Sequence, residues 1–132
     1  MAPSNTPSNS PVKVTTFPLV RRHLIASTIC AALIVFSARR SFIAPGSPIH
    51  EYILTPIASL VIAVSAQNWI FGILVGVHSL EVPLFAVMRL HKHGVPFMSA
   101  LWWKWTGAVF IAGKATWDLF GATVKREAAK AR

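Results

Sequence analysis

The feature that most constrains this chain is an apolar run of about twenty residues, Trp69 to Met88, that contains His78 and Glu81. A transmembrane helix needs roughly 20 residues, so the run is long enough to cross a bilayer. His78 and Glu81 are three positions apart and therefore lie on one face of the predicted helix. A charge in hydrocarbon costs at least about 2.5–3.5 kcal/mol, so such residues usually face a protein interior or a polar cavity. The run predicts a membrane helix with a polar site inside it.

Composition and charge indicate a membrane protein rather than a nucleic-acid-binding protein. The chain has 132 residues, of which 54% are hydrophobic and 13% are charged, and that charged share is low for a soluble domain. The net charge is +9, but Lys and Arg cluster beside the apolar runs. At those positions they set topology and meet anionic head groups. We therefore expect membrane lipids as partners and no nucleic acid.

The order of apolar and polar segments predicts an all-α integral membrane helical bundle. Residues 1–16, rich in Pro, Ser and Asn, are expected to form a disordered, solvent-exposed tail. Residues 17–124 form the predicted transmembrane helical domain, and residues 125–132 a basic C-terminal tail. Three full transmembrane helices are predicted: Leu19 to Ala38, Trp69 to Met88 and Phe97 to Phe120.

One shorter apolar run, Tyr52 to Ala66, gives a helix of only about 22 Å, less than a hydrocarbon core of ~30 Å. We predict a short interfacial or re-entrant helix that Gln67 and Asn68 separate from the next run; four transmembrane helices are the alternative. One continuous helix from Pro56 to Leu90 is expected to be too long. With three crossings the flanking Lys and Arg divide about five against six, and with four about seven against four, so the charges leave the topology open.

Four polar residues in the predicted crossings, His78, Glu81, Lys114 and Asp118, are the candidate functional residues. One interpretation is an intramembrane polar network that fixes helix pairing, with Glu81 against Lys114 and Lys114 paired to Asp118 four residues on. The other is an intramembrane cavity in which His78 and Glu81 act as a general acid–base pair on a lipid or sterol, as in an isomerase-like enzyme.

Glycine and proline add local expectations for the second crossing. Gly72 and Gly76 have the spacing that lets membrane helices approach closely, so they are candidates for helix packing, for homo-oligomer formation or for binding a protein partner. Pro83 is expected to kink the helix because it removes one hydrogen bond. The basic turn that carries His91 and His93 is expected to be solvated, and neither a metal site nor a cofactor is predicted.

The stretch His78-Ser-Leu-Glu-Val-Pro-Leu-Phe-Ala-Val-Met-Arg-Leu-His-Lys-His-Gly94, followed by a Trp-rich helix, resembles the transmembrane protein 254 family. In that family a helix carries His-x-x-Glu, an Ala follows, and a Lys-His-Gly turn leads into the last helix. The resemblance covers about residues 20–125 and is specific over about 78–105; Pro83 and the Pro-rich start depart from it. The matching positions are His78, Glu81, Ala86, Lys92, His93 and Gly94.

The resemblance implies a small multi-pass membrane protein, and it implies no reaction because the family has no established activity. We therefore expect a non-enzymatic structural, accessory or scaffold protein of an internal membrane such as the endoplasmic reticulum. A lipid- or sterol-binding protein, or an isomerase-like enzyme built on His78 and Glu81, is the alternative.

Overall fold

The computed structural model describes residues 11–57 and 59–131, and within these ranges it is all-helical, without a strand. Two helices, Arg21–Ala38 and Leu60–His91, are long and apolar enough to cross a membrane. The all-α prediction is therefore confirmed. The helical segments are α1 (Arg21–Ala38), a short 3-10 helix (Arg40–Phe42), a π-helical turn (His50–Leu54) leading into α2 (Thr55–Ile57), α3 (Leu60–Phe85) with its π-helical continuation (Ala86–His91), α4 (Ala100–Ala112) and α5 (Lys114–Lys130).

Helix α3 runs without interruption through the polar pair at 67–68, so the prediction of a separate short helix ending there is wrong. Gln67 is only 2% exposed. Its side-chain amide donates to the Phe36 carbonyl at 2.7 Å and to the Arg39 carbonyl at 2.9 Å. Carbonyls at a helix end lack intrahelical donors, so this amide caps α1 from within α3. Including its π-helical end, α3 has 32 residues and is about 48 Å long.

Pro83 lies inside α3, and the helix changes register after it rather than ending. The backbone N–H of Ala86 contacts the carbonyls of both Pro83 and Val82, and the chain is π-helical from Ala86 to His91. A proline lacks the N–H that would bond to the preceding turn, and wider π-helical turns are one way in which a helix accommodates such a defect.

The predicted third crossing, 97–120, is also wrong, because α4 and α5 form a hairpin about Gly113. This glycine has φ +47° and ψ −120°, a conformation that L-residues rarely adopt. The rings of Trp105 and Phe120 are 4.9 Å apart, whereas one straight helix would separate these residues by about 22 Å. Helix α5 therefore folds back along α4.

The hydrophobic core lies where this hairpin packs against the second half of α3. Phe85, Trp105 and Phe120 are fully buried, and the Phe85 and Phe120 rings are 5.2 Å apart in an edge-to-face arrangement. Aromatic pairs of this geometry contribute about 0.5–1.5 kcal/mol beyond their buried area. The other buried members of the cluster are Val14, Leu90, Val95, Val109 and Leu119.

The segment before α1 packs onto this core, although residues 1–16 were expected to be an exposed tail. Val14 is 2% exposed, and its N–H donates to the His93 carbonyl at 3.1 Å. His93 in turn donates from Nδ1 to the Val12 carbonyl at 2.8 Å. His93 is therefore buried, not part of a solvated turn. Residues 1–10, the rest of the predicted tail, lie outside the described residues.

Beyond the tip of the hairpin, α1 and α3 continue as an apolar helix pair. The tip lies beside His78, about half-way along α3. Past this level the outward side chains are large, apolar and mostly exposed. In both candidate spans only 11% of the most apolar 18-residue window is buried. The exposed residues include Ile29, Leu33, Val35, Val61, Ile62, Trp69 and Ile73.

The loop between α1 and α2 is ordered by a carboxylate. Glu51 Oε1 accepts a hydrogen bond from the backbone N–H of Gly46 at 3.2 Å and lies 3.2 Å from Nδ1 of His50. The Gly46 bond, followed by the His50 bond, holds the pKa of the Glu51 carboxyl below its usual value. Both bonds favour the ionised form of the side chain.

Candidate functional site

His78 and Glu81 lie one turn apart on α3, and both face the backbone of Gly113. A Cβ added to Gly113 would lie 2.8 Å from His78 Nε2 and 2.7 Å from Glu81 Oε2. Both side chains therefore converge on the point where the last two helices reverse. Glycine is required there for two reasons, its positive φ and the absence of space for a side chain.

The imidazole of His78 is fixed by a hydrogen bond to the hairpin. Its Nδ1 lies 2.8 Å from the carbonyl oxygen of Phe110. A carbonyl can only accept, so Nδ1 carries the proton, and in the neutral ring Nε2 keeps its lone pair. Phe110 belongs to the last turn of α4, where carbonyls lack intrahelical donors. His78 therefore satisfies a backbone group that the hairpin leaves open.

A second set of hydrogen bonds connects the two helices of the hairpin to each other and to α1. Thr116 donates from Oγ1 to the Ala108 carbonyl at 2.8 Å. Its hydroxyl hydrogen is then used, so the contact of 3.0 Å with His23 is a bond that His23 Nε2–H donates to Thr116 Oγ1. Both side chains are buried. Sequence reasoning missed both residues; the signal for His23 was a histidine within the first apolar helix.

Glu81 lies on the wall of an open groove of about 350 Å³ between α3 and α5. Its Oε2 is buried and has no hydrogen-bond partner within 11–57 and 59–131. The predicted ion pair with Lys114 is absent from these residues, although both side chains line the groove. Lys114 instead donates to both carboxylate oxygens of Asp118, at 3.1 and 3.3 Å. The groove also contains Arg89, whose guanidinium lies 5.7 Å from the centre of the Trp117 ring.

The four polar residues predicted to form one network thus divide into two parts. His78 and Glu81 contact the turn of the hairpin, whereas Lys114 and Asp118 are largely exposed, at 83% and 69% of their side chains. An exposed pair of this kind contributes at most about 0.3–0.5 kcal/mol. The ordered part of the site is therefore the contact of α3 with Gly113.

The remaining site predictions concern helix packing and metals. Gly72 and Gly76 are exposed, and no atom would lie within 4 Å of a Cβ added to either. Their face of α3 is accordingly open. Across 11–57 and 59–131, no group of three or more His, Cys, Asp or Glu side chains could hold a metal ion.

Chemically, the site can accept hydrogen bonds at His78 Nε2 and at Glu81 Oε2. No family model matches this chain, no curated protein is significantly similar to it, and no solved structure matches its fold.

Proposed function

We propose that this chain is a multi-pass integral membrane protein with a structural or accessory role in an internal membrane. In place of three full crossings, we infer two, α1 and α3, together with a re-entrant hairpin formed by α4 and α5. The proposal agrees with the protein class implied by the resemblance to the transmembrane protein 254 family.

The apolar exterior of α1 and α3 is the observation that supports a membrane location. Isolated apolar side chains are common on soluble proteins, but large continuous patches are not. Here the exposed positions follow both helices over several turns; Val61 is 78% exposed, Trp69 69% and Ile73 56%. Lipid is the solvent that removes the cost of this exposure.

The distribution of Lys and Arg also agrees with two crossings and a hairpin. With two crossings, the segment before α1, the end of α3 and the end of α5 lie on one side. Of the described Lys and Arg residues outside the hairpin turn and the start of α4, eight then lie on this side and two on the other. By the positive-inside rule the first side is cytosolic. The eight are Lys13, Arg21, Arg22, Arg89, Lys92, Lys125, Arg126 and Lys130, and the two are Arg39 and Arg40.

The length of α1 fits an internal membrane. Its 18 residues give a helix of about 27 Å. The hydrocarbon thickness of the endoplasmic reticulum bilayer is also about 27 Å, whereas the plasma membrane is a few ångströms thicker. Helix α3 is longer and would tilt or extend beyond the interface.

The geometry of His78 supports a structural role. Its Nδ1–H is used to satisfy the Phe110 carbonyl, as expected of a residue that holds the hairpin in place. In a membrane, irregular backbone is tolerated only where protein or a water-filled cavity satisfies it. His78 supplies that satisfaction at the Phe110 carbonyl of α4, and Thr116 adds a hydrogen bond to the Ala108 carbonyl.

Cysteine accessibility in sealed microsomes tests the topology. In a Cys30→Ser background, single cysteines would replace Thr16, Ser41 and Ala129, and an impermeant maleimide would be added before or after permeabilisation. We expect the cysteines at 16 and 129 to react from outside the vesicles, and the one at 41 only after permeabilisation. Three full crossings would instead place the cysteines at 16 and 129 on opposite sides. Complete release of the protein by alkaline carbonate would refute the membrane location.

The groove beside Glu81 supports a second candidate function, binding of a lipid or sterol at the His78–Glu81 site. The test is mass spectrometry of lipids that co-purify in mild detergent with the wild type, with His78→Ala and with Glu81→Gln. A defined lipid retained by the wild type and lost in both variants would favour this cavity. Unchanged lipid content in less stable variants would favour the structural role.

A further inference from the structure

A separate groove lies between the π-helical end of α3 and the first turn of α4. Its volume of about 390 Å³ is in the range of small-molecule sites, ~300–1,000 Å³. The lining is apolar and aromatic apart from one histidine. The lining residues are Ala86, Val87, His91, Val95, Phe97 and Trp102.

Two unusual backbone segments form the walls of this groove. Ala86 and His91 are the first and last residues of the π-helical segment, and such segments are frequent at functional sites. On the opposite wall, Met98 directly follows Phe97 and has φ +60°, which is uncommon for a residue other than glycine, and strained residues of this kind cluster at functional sites. This turn sets Phe97 against Trp102, with ring centres 5.2 Å apart and planes at 74°.

In the proposed membrane arrangement, the groove has a polar end at the membrane–water boundary and an apolar end toward the hydrocarbon. Trp102 and Trp103 lie in the first turn of α4, and tryptophans are enriched at the membrane–water boundary. His91 ends the helical part of α3 at the same boundary, whereas Ala86 and Val87 lie four to five residues, or about one turn, further into the helix. A ligand would therefore present a polar group to His91 and an apolar body to the hydrocarbon side.

We propose that this groove binds a sterol, with its hydroxyl at His91 and its fused rings between Val87, Phe97 and Trp102. A sterol has one hydroxyl at the end of a flat, rigid apolar body, which matches the single polar lining residue and the aromatic walls. A rigid ring system also loses less conformational freedom on binding than a flexible acyl chain. The inference rests on the proposed membrane location and places the ligand away from Glu81.

Photolabelling tests the proposal on the full chain, reconstituted in phosphatidylcholine vesicles with a diazirine-bearing sterol. We expect saturable labelling within residues 86–102, competed by unlabelled sterol. Val87→Trp should fill the groove and lower labelling about tenfold or more. Val61→Trp is the matched control, because Val61 is similarly exposed, 78% against 72% for Val87, but lies near the other end of α3, away from the groove. His91→Ala removes the hydroxyl's partner and should weaken labelling about three- to tenfold.

Three results would overturn the inference. They are labelling that does not saturate, labelling that unlabelled sterol does not reduce, and labelling that falls equally in Val87→Trp and Val61→Trp. Loss of labelling in Glu81→Gln with retention in Val87→Trp would assign the sterol to the His78–Glu81 site. Failure of the chain to resist carbonate extraction from the vesicles would refute the membrane proposal itself, so the two failures are distinguishable.

Discussion

Replacing Gly113 by alanine tests the structural account most directly. The backbone of Gly113 is at φ +47° and ψ −120°, and an L-residue held in such a sparsely populated region costs about 1–3 kcal/mol. The new Cβ would also lie 2.7 Å from Glu81 Oε2 and 2.8 Å from His78 Nε2. Both side chains must therefore move.

The movement of His78 carries a further cost. If its Nδ1 leaves the Phe110 carbonyl, that part-buried acceptor is left unsatisfied, which costs about 1–3 kcal/mol. Alanine also lowers the conformational entropy of the unfolded chain, which offsets the loss of stability by about 0.4–1 kcal/mol. We therefore expect Gly113→Ala to lower the free energy of unfolding by about 2–4 kcal/mol, a large part of the ~5–15 kcal/mol typical of a folded domain.

The assay is unfolding by sodium dodecyl sulfate in mixed micelles, followed by tryptophan fluorescence. Gly121→Ala is the matched control, because Gly121 lies within α5 and nothing would be within 4 Å of its new Cβ. In a helix interior this substitution should stabilise by about 0.5–1 kcal/mol. Adding Glu81→Ala to Gly113→Ala should restore only the part of the lost stability that is caused by crowding between the new Cβ and the Glu81 carboxylate. If Gly113→Ala were as stable as Gly121→Ala, the glycine hairpin would be refuted.

Three further predictions concern hydrogen bonds. His78→Leu should destabilise by about 1–3 kcal/mol in the same assay, since the Phe110 carbonyl loses its donor; no change would show that the bond is not formed. Thr116→Val should cost a similar amount because it removes both bonds that Thr116 makes, whereas Thr123→Val, whose hydroxyl bonds only within its own helix, should cost less. Glu51 has a lowered pKa, so the stability that its carboxylate contributes is present above the unfolded pKa of about 4.3 and is lost as the pH falls through the lower folded value. The difference in thermal stability between wild type and Glu51→Gln should therefore shrink as the pH falls from 7 to 3, and a difference that grew would contradict the assignment.

The all-α class and the choice of His78 and Glu81 as candidate functional residues followed from the sequence, because long apolar runs and ionisable residues inside them are local signals. The continuity of α3 did not. Gln67 reads as a polar interruption, and only the folded chain shows that its side-chain NH2 group donates to the carbonyls of Phe36 and Arg39, while its Oε1 has no partner within 11–57 and 59–131. Burying a polar side chain costs free energy mainly when it has no hydrogen-bond partner, and a neighbouring helix can supply that partner.

The hairpin of α4 and α5 was not predicted from the sequence either, because the contacts that hold it are also non-local. Gly113 sits in an apolar run beside Lys114, and nothing in its neighbours distinguishes it from Gly107, which lies within α4. The reversal depends on partners from other helices, including His78 from α3 and His23 from α1. Since these partners are 35 or more positions away in the chain, no short sequence window contains them.

The composition of the core has a consequence for the order in which the chain matures during synthesis. Its buried members run from Val14 to Phe120, so the core cannot close until the last helix has left the ribosome. Until then, α1 and α3 can pair only with each other, with Gln67 already able to join them. The newly made chain therefore passes through a stage in which Phe85 has no aromatic neighbour from α5, and a chain that ends before α5 would stay at that stage.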